Sequence, residues 1–222
     1  MKKFWMFLTV FLTLICFLTG CSKQEGLEKY VSELRSDAFY GETENFKLKA
    51  WYGFRETPYN NDGQVKDRVY LLQFRLLDQE TSEIAFTVFF NYNQTEYSKQ
   101  FSHSPISHAL TAEIPIDNFK EKEFIVIIKY SDESIEISLK SILPQGTVSY
   151  VKALESLKNS KPELIKTFTD NDGNFKAEIH ARIVVKDEKS YWYIAFSQGK
   201  ESLKALLVDG KTCEVLAIRE IF

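Results

Sequence analysis

The chain has 222 residues, 28 Lys+Arg against 31 Asp+Glu, 44% hydrophobic and 14% aromatic, enough apolar material for one large domain or two small ones. The first twenty residues carry two lysines and no acid, which leaves 26 basic against 31 acidic residues, a net of −5. That mild acidity argues against a nucleic-acid partner and a polybasic membrane-surface protein, and so aromatic a composition is not that of a disordered chain.

Residues 1–21 read MKKFWMFLTVFLTLICFLTGC. Lys2 and Lys3 precede an apolar run of 15 residues, Phe4 to Leu18, a length that suits a secretory signal and is short for a spanning helix of about 20 residues. The run ends in Leu18-Thr19-Gly20-Cys21, which resembles the bacterial lipobox. The resemblance implies a signal peptide over 1–20, recognition by lipoprotein signal peptidase through Leu18, Thr19 and Gly20, and palmitate-type lipid on Cys21. The expected location is the extracytoplasmic face of the cell membrane, with the membrane itself a partner through the lipid anchor. Cys16 leaves with the signal and Cys21 is lipidated, so Cys213 is the one free thiol of the mature chain and no internal disulfide is available. A small buried residue in a strand is the expectation for Cys213.

Residues 21–26 form a short polar tether. Leu27, Tyr30, Val31 and Leu34 stand at helical spacing and predict a helix over 27–37. From residue 45 the period becomes two. Strands are predicted at Phe46–Phe54, Tyr70–Leu76, Ile84–Tyr92, Tyr97–Phe101, Leu110–Ile116, Phe124–Tyr130 and Ile135–Leu139, with turn residues between them. Seven short strands predict an antiparallel β-sandwich of roughly immunoglobulin-like size over 27–143, with a small barrel as the alternative. After Pro144-Gln145-Gly146, helices are predicted near Tyr150–Leu157 and Pro162–Phe168, then strands at Phe175–Val185, Tyr191–Ser197, Leu203–Asp209 and Glu214–Ile221. The second unit, 144–222, is therefore a small α+β domain, and the whole chain is mainly β. Its tract Leu207-Val208-Asp209-Gly210-Lys211-Thr212-Cys213 resembles the last turn of a PepSY-type domain, although Cys213 stands where that family usually has Gly. The resemblance implies extracytoplasmic binding or inhibition rather than catalysis.

Chemical motifs are few. Ser149-x-x-Lys152 and Ser197-x-x-Lys200 have the spacing of serine–lysine acyltransferases, but two such pairs are what chance gives for this serine and lysine content. His103, His108 and His180 lack ligand-spaced neighbours, and Asp170-Asn171-Asp172-Gly173 has its Gly too early for a calcium loop. No catalytic residue, metal site or cofactor is assigned. Aromatic runs around Trp51, Tyr59 and Trp192 must send some rings away from a core, so these three mark the candidate binding face. The expected function is that of a non-catalytic binding, inhibitory or accessory lipoprotein with an envelope protein or peptide partner. An envelope hydrolase or acyltransferase with scattered catalytic residues is the alternative, and a two-lobed solute receptor would need a longer chain.

Overall fold

A computed structural model describes residues 26–58, 65–77, 84–104, 109–199 and 202–221. The signal peptide, the lipobox with Cys21, most of the tether, Tyr59 and His108 lie outside the described residues. Among those described, no helix is long and apolar enough to cross a membrane.

The fold is mainly β. Each stretch of alternating polarity becomes a strand: β2 (Lys47–Glu56), β3 (Arg68–Leu77), β4 (Phe86–Tyr92), β5 (Thr95–Gln100), β7 (Leu110–Pro115), β8 (Glu123–Tyr130) and β9 (Glu133–Ser141). The two-residue turns behave as their sequences require. Asn93 and Gln94 take φ of 49° and 64°, Asp187 and Glu188 take 49° and 58°, the left-handed pair that matches the twist of a tight hairpin.

The expected helix over 27–37 is corrected. One 3-10 turn, Leu27–Tyr30, leads into a strand, β1 (Val31–Glu42). Its register shifts twice, between Val31 and Glu33 and between Arg35 and Asp37. Each β-bulge inserts one residue and resets the alternation, so Val31, Leu34 and Ala38 all face the same apolar cluster. Strand residues three and four apart then imitate a helical stripe. Gly53 makes the second bulge feasible, because a Cβ there would lie 1.9 Å from the Leu34 carbonyl oxygen.

β1 joins the two ends of the molecule. One edge pairs with β2 throughout, while the other pairs in parallel with β10 (Glu178–Lys186) at its start and antiparallel with β9 at Phe39 and Tyr40. From β1 the sheet runs through β2, β3 and β7 to β6 (Ser102–His103). β5 runs straight into β6 through Phe101, whose N–H donates to the Phe86 carbonyl over 2.8 Å. β5 pairs with β4, β4 with β8, β8 with β9, and β9 with β1. The result is a nearly closed, barrel-like sheet. Its interior is rich in phenylalanine, and Phe119 fills one end. That ring lies 4.9 Å from Phe124, 5.0 Å from Tyr92 and 5.7 Å from Tyr52, and its N–H donates to the Tyr52 hydroxyl over 3.2 Å.

The rest of the chain builds a second cluster. α1 (Tyr150–Ser160) starts at Ser149, whose hydroxyl accepts from the Lys152 N–H, and buries Ala153, Leu154 and Leu157. α2 (Pro162–Thr167) follows. β10, β11 (Lys189–Gln198), β12 (Ser202–Asp209) and β13 (Val215–Ile221) form an antiparallel meander. Ile179, Ala181, Ile183, Trp192, Ile194 and Phe196 pack in one cluster with α1, Leu27, Val31 and Leu34.

Candidate functional site

The bulged start of β1, the outer face of β2, β3 and β7, and the polar face of β10 enclose a cavity of about 510 Å³. Such a volume lies in the usual range of ligand sites. Among the described residues its walls hold Arg35, Arg55, Arg75 and Arg182 and two acids, Glu33 and Glu113, a formal surplus of two positive charges on a chain of net charge −3.

Strand register explains the gathering. Arg35 stands opposite Gly53 on β2 and Arg182 on β10, and Glu33 opposite Arg55. Trp51 is opposite Gln73, Gln73 opposite Glu113, and Arg75 opposite Thr111. Glu33 is 3% exposed and serves two cations: the Arg182 guanidinium donates to Oε2 over 2.7 Å, and Arg35 Nε lies 3.0 Å from Oε1. Burial penalises the Glu33 charge, yet the charges of Arg182 and Arg35 outweigh it and hold the carboxyl below the ordinary range. Burial also lowers the Arg35 and His180 values, with Arg182 adding to both. Arg55 makes a bidentate pair with Glu113, at 3.0 Å and 2.7 Å.

The Nε atoms of Arg35, Arg75 and Arg182 are all buried without a hydrogen-bond partner, and Arg75 differs in forming no ion pair among the described residues. Beside it on the same face of β3, Gln73 is 8% exposed and lines the cavity. An unsatisfied buried donor costs roughly 1–3 kcal/mol, so Arg75 Nε is a polar group that the fold itself does not use. Arg35 also lies over the Trp51 ring, 5.5 Å from its centroid.

The anticipated binding face divides accordingly. Trp51 lines the cleft and Tyr59 is outside the described residues. Trp192 is corrected. It is 1% exposed, and its indole N–H donates to the Val148 carbonyl over 3.0 Å. Alternation on β11 turns Trp192 inward between the half-buried Tyr191 and Tyr193.

Cys213 lies in the turn between β12 and β13 rather than in a strand, with φ of 64°. Burial pushes its thiol up, away from the reactive thiolate. His180 shares its strand with the apolar Ile179 and Ala181 that pack in the Cys213 cluster, and alternation turns it to the other face. Asp170 is occupied by its own turn, where Oδ1 accepts from the N–H groups of Asp172 and Asn174 and Oδ2 pairs with Lys176. Among the described residues no three His, Cys, Asp or Glu gather where they could hold a metal.

A wider hollow of about 680 Å³ lies on the opposite side of the barrel, over β4, β8 and β9. Phe89, Ile125 and Ile127 floor it, and Glu96, Glu121, Glu123 and Glu136 rim it.

None of Arg35, Arg55, Gln73, Arg75 or Arg182 was anticipated as a site residue from the sequence. One signal was present. β3 reads Leu71-Gln73-Arg75-Leu77 on the face away from the barrel, and an outward face that is half leucine is one that something covers. Comparison of the chain with protein-family models, with curated proteins and with solved structures finds no match.

Proposed function

We propose that this protein is a lipid-anchored extracytoplasmic lipoprotein that binds an anionic partner in the arginine cleft without transforming it. The observation that carries it is the two-charge positive surplus of a half-enclosed cavity in an acidic chain. Electrostatic focusing in such a cleft favours an anion and speeds its arrival. Three features support binding over catalysis. Arg55 and Glu113 are locked to each other, Ser149 is spent as a helix cap, and the Cys213 thiol is buried away from His180.

The membrane address rests on the lipobox-like Leu18-Thr19-Gly20-Cys21. Cys21→Ala should accumulate an unprocessed precursor without lipid label, since two acyl chains are what give stable attachment. Normal processing of that variant would remove the anchor. At finer grain, the strand pairings support a sandwich- or barrel-like body over 27–143 and an α+β unit over 144–222 that share β1. Kinship of the second unit with PepSY-type domains is supported by its last turn. Cys213 there adopts the left-handed conformation that glycine takes most easily, and Asp209 Oδ1 accepts from the N–H groups of Lys211 and Thr212.

Crosslinking of the lipidated protein in its own membrane, read by mass spectrometry, tests the function. Partners captured by the wild type and lost with Trp51→Ala support the cleft. Partners captured equally by both contradict it. Stoichiometric labelling of Ser149 or Cys213 by activity probes would replace binding with acyl transfer.

A further inference from the structure

The location of the two surplus charges is informative. Arg55 is neutralised by its bidentate Glu113. On one side of the cleft Arg35 and Arg182 share the single carboxylate of Glu33, which leaves one positive charge there. On the other side Arg75 has no acid beside it among the described residues, which leaves the second. β1 and β3 are separated by β2, two strand spacings or about 10 Å at the backbone. Trp51, on β2, lies between the two places.

We propose, building on the cleft as the binding site, that its ligand presents two separated carboxylates. One is taken by Arg75 with Gln73, the other by Arg35 with Arg182, and the connecting atoms pass over Trp51. Each place has one charge to match, which fits a monoanionic carboxylate and not the concentrated charge of a phosphate. The Arg75 guanidinium is a planar fork, the geometry that meets two carboxylate oxygens at once. Gln73, 8% exposed and lining the cavity, adds a neutral donor beside that charge. A free dicarboxylic acid and an acidic peptide segment share this chemistry.

The test uses the mature chain and its two indole N–H resonances in a ¹H–¹⁵N spectrum. Trp192, held on the Val148 carbonyl, is the internal reference, and Trp51 is the reporter. Glutarate and a short peptide with two aspartates should move the Trp51 signal in a saturable way and leave Trp192 still. Acetate should bind more weakly and inorganic phosphate should not compete. A response to the peptide alone assigns the carboxylates to a protein partner, and a response to glutarate alone to a small molecule. Arg75→Lys keeps the charge but loses the fork, and Gln73→Leu keeps the volume but loses the donor. Each should weaken binding about tenfold or more with the spectrum otherwise unchanged. Competition by phosphate equal to glutarate would overturn the carboxylate assignment and leave the anion cleft standing. Silence of Trp51 toward every probe, together with membrane capture that survives Trp51→Ala, would overturn the cleft as well.

Discussion

The two hollows on opposite sides of the barrel differ in how their charge is held. The acidic hollow is built from the local strands β4, β5, β8 and β9, and its Glu123 is exposed, bridged by Lys140 at 3.1 Å and by the Ser138 hydroxyl at 3.0 Å. The arginine cleft draws residues from Glu33 to Arg182 through β1, and its central carboxylate is 3% exposed. Charge alone therefore does not distinguish a site. In water an ion pair contributes little, whereas a desolvated one must be balanced in place, so unbalanced charge inside the cleft is a stored affinity and the acidic rim is a solvated surface.

The largest effect should come from cutting the strand that both ends share. A fragment of residues 147–222 lacks β1, and with it Leu27, Val31 and Leu34 of its own cluster, so it should show no cooperative thermal transition. Residues 27–143 keep the whole barrel-like circuit and should show one. Cooperative melting of the smaller fragment would mean that β1 is dispensable to it.

Glu33→Ala comes next. It leaves Arg35 and Arg182 facing each other without a carboxylate. Loss of one partner of a buried pair costs about 3–5 kcal/mol, and the partial exposure of both arginines places this one near about 3 kcal/mol. For a chain of this size that is a fall of roughly 6–12 °C in the unfolding midpoint. The pair Arg55–Glu113 is more exposed, and Glu113→Ala should cost about 1 kcal/mol or less.

Acid should act on the cleft in a definite direction. Glu33 has a folded value below its ordinary one, so its contribution is complete above the ordinary carboxylate range and is lost as pH falls through the folded value. His180 is also lowered, by burial first and by Arg182. The unfolded chain then takes up the imidazole proton before the folded one, and stability falls as pH drops below the ordinary imidazole range. His180→Gln should remove the earlier part of that decline and leave the later part, which the pH dependence of denaturant midpoints would resolve. The smallest effect belongs to the acidic side, where Glu123→Ala should leave the midpoint unchanged. A substantial fall would show that the rim is structural.

Much of the fold is legible in the sequence because most strands alternate cleanly. β2, β8 and β11 each bury every second residue, and the turns after β8 and before β11 carry residues with a positive φ, Ser131, Asp187 and Glu188. β1 is not legible, for a physical reason: two bulges convert its period of two into steps of three and four. Losing β1 hides the site as well, since Glu33 and Arg35 are placed by those bulges and Arg182 is paired to β1 across most of the chain. Trp51 could be suspected from its aromatic neighbours. For Gln73 and Arg75 the flanking Leu71 and Leu77 signal only that this face is covered; a polar residue in a strand ordinarily faces water, and tertiary packing is what shows which groups gather there.

The most direct test of the central claim is the thermal unfolding midpoint of Arg75→Leu. If the cleft is a binding site, Arg75 is a half-buried cation with an unpartnered Nε held ready for a ligand, and its removal should leave the midpoint of the empty protein unchanged or raise it. A fall as large as that of Glu33→Ala would show that Arg75 holds the fold together, and the cleft would then be a structural charge network without a ligand.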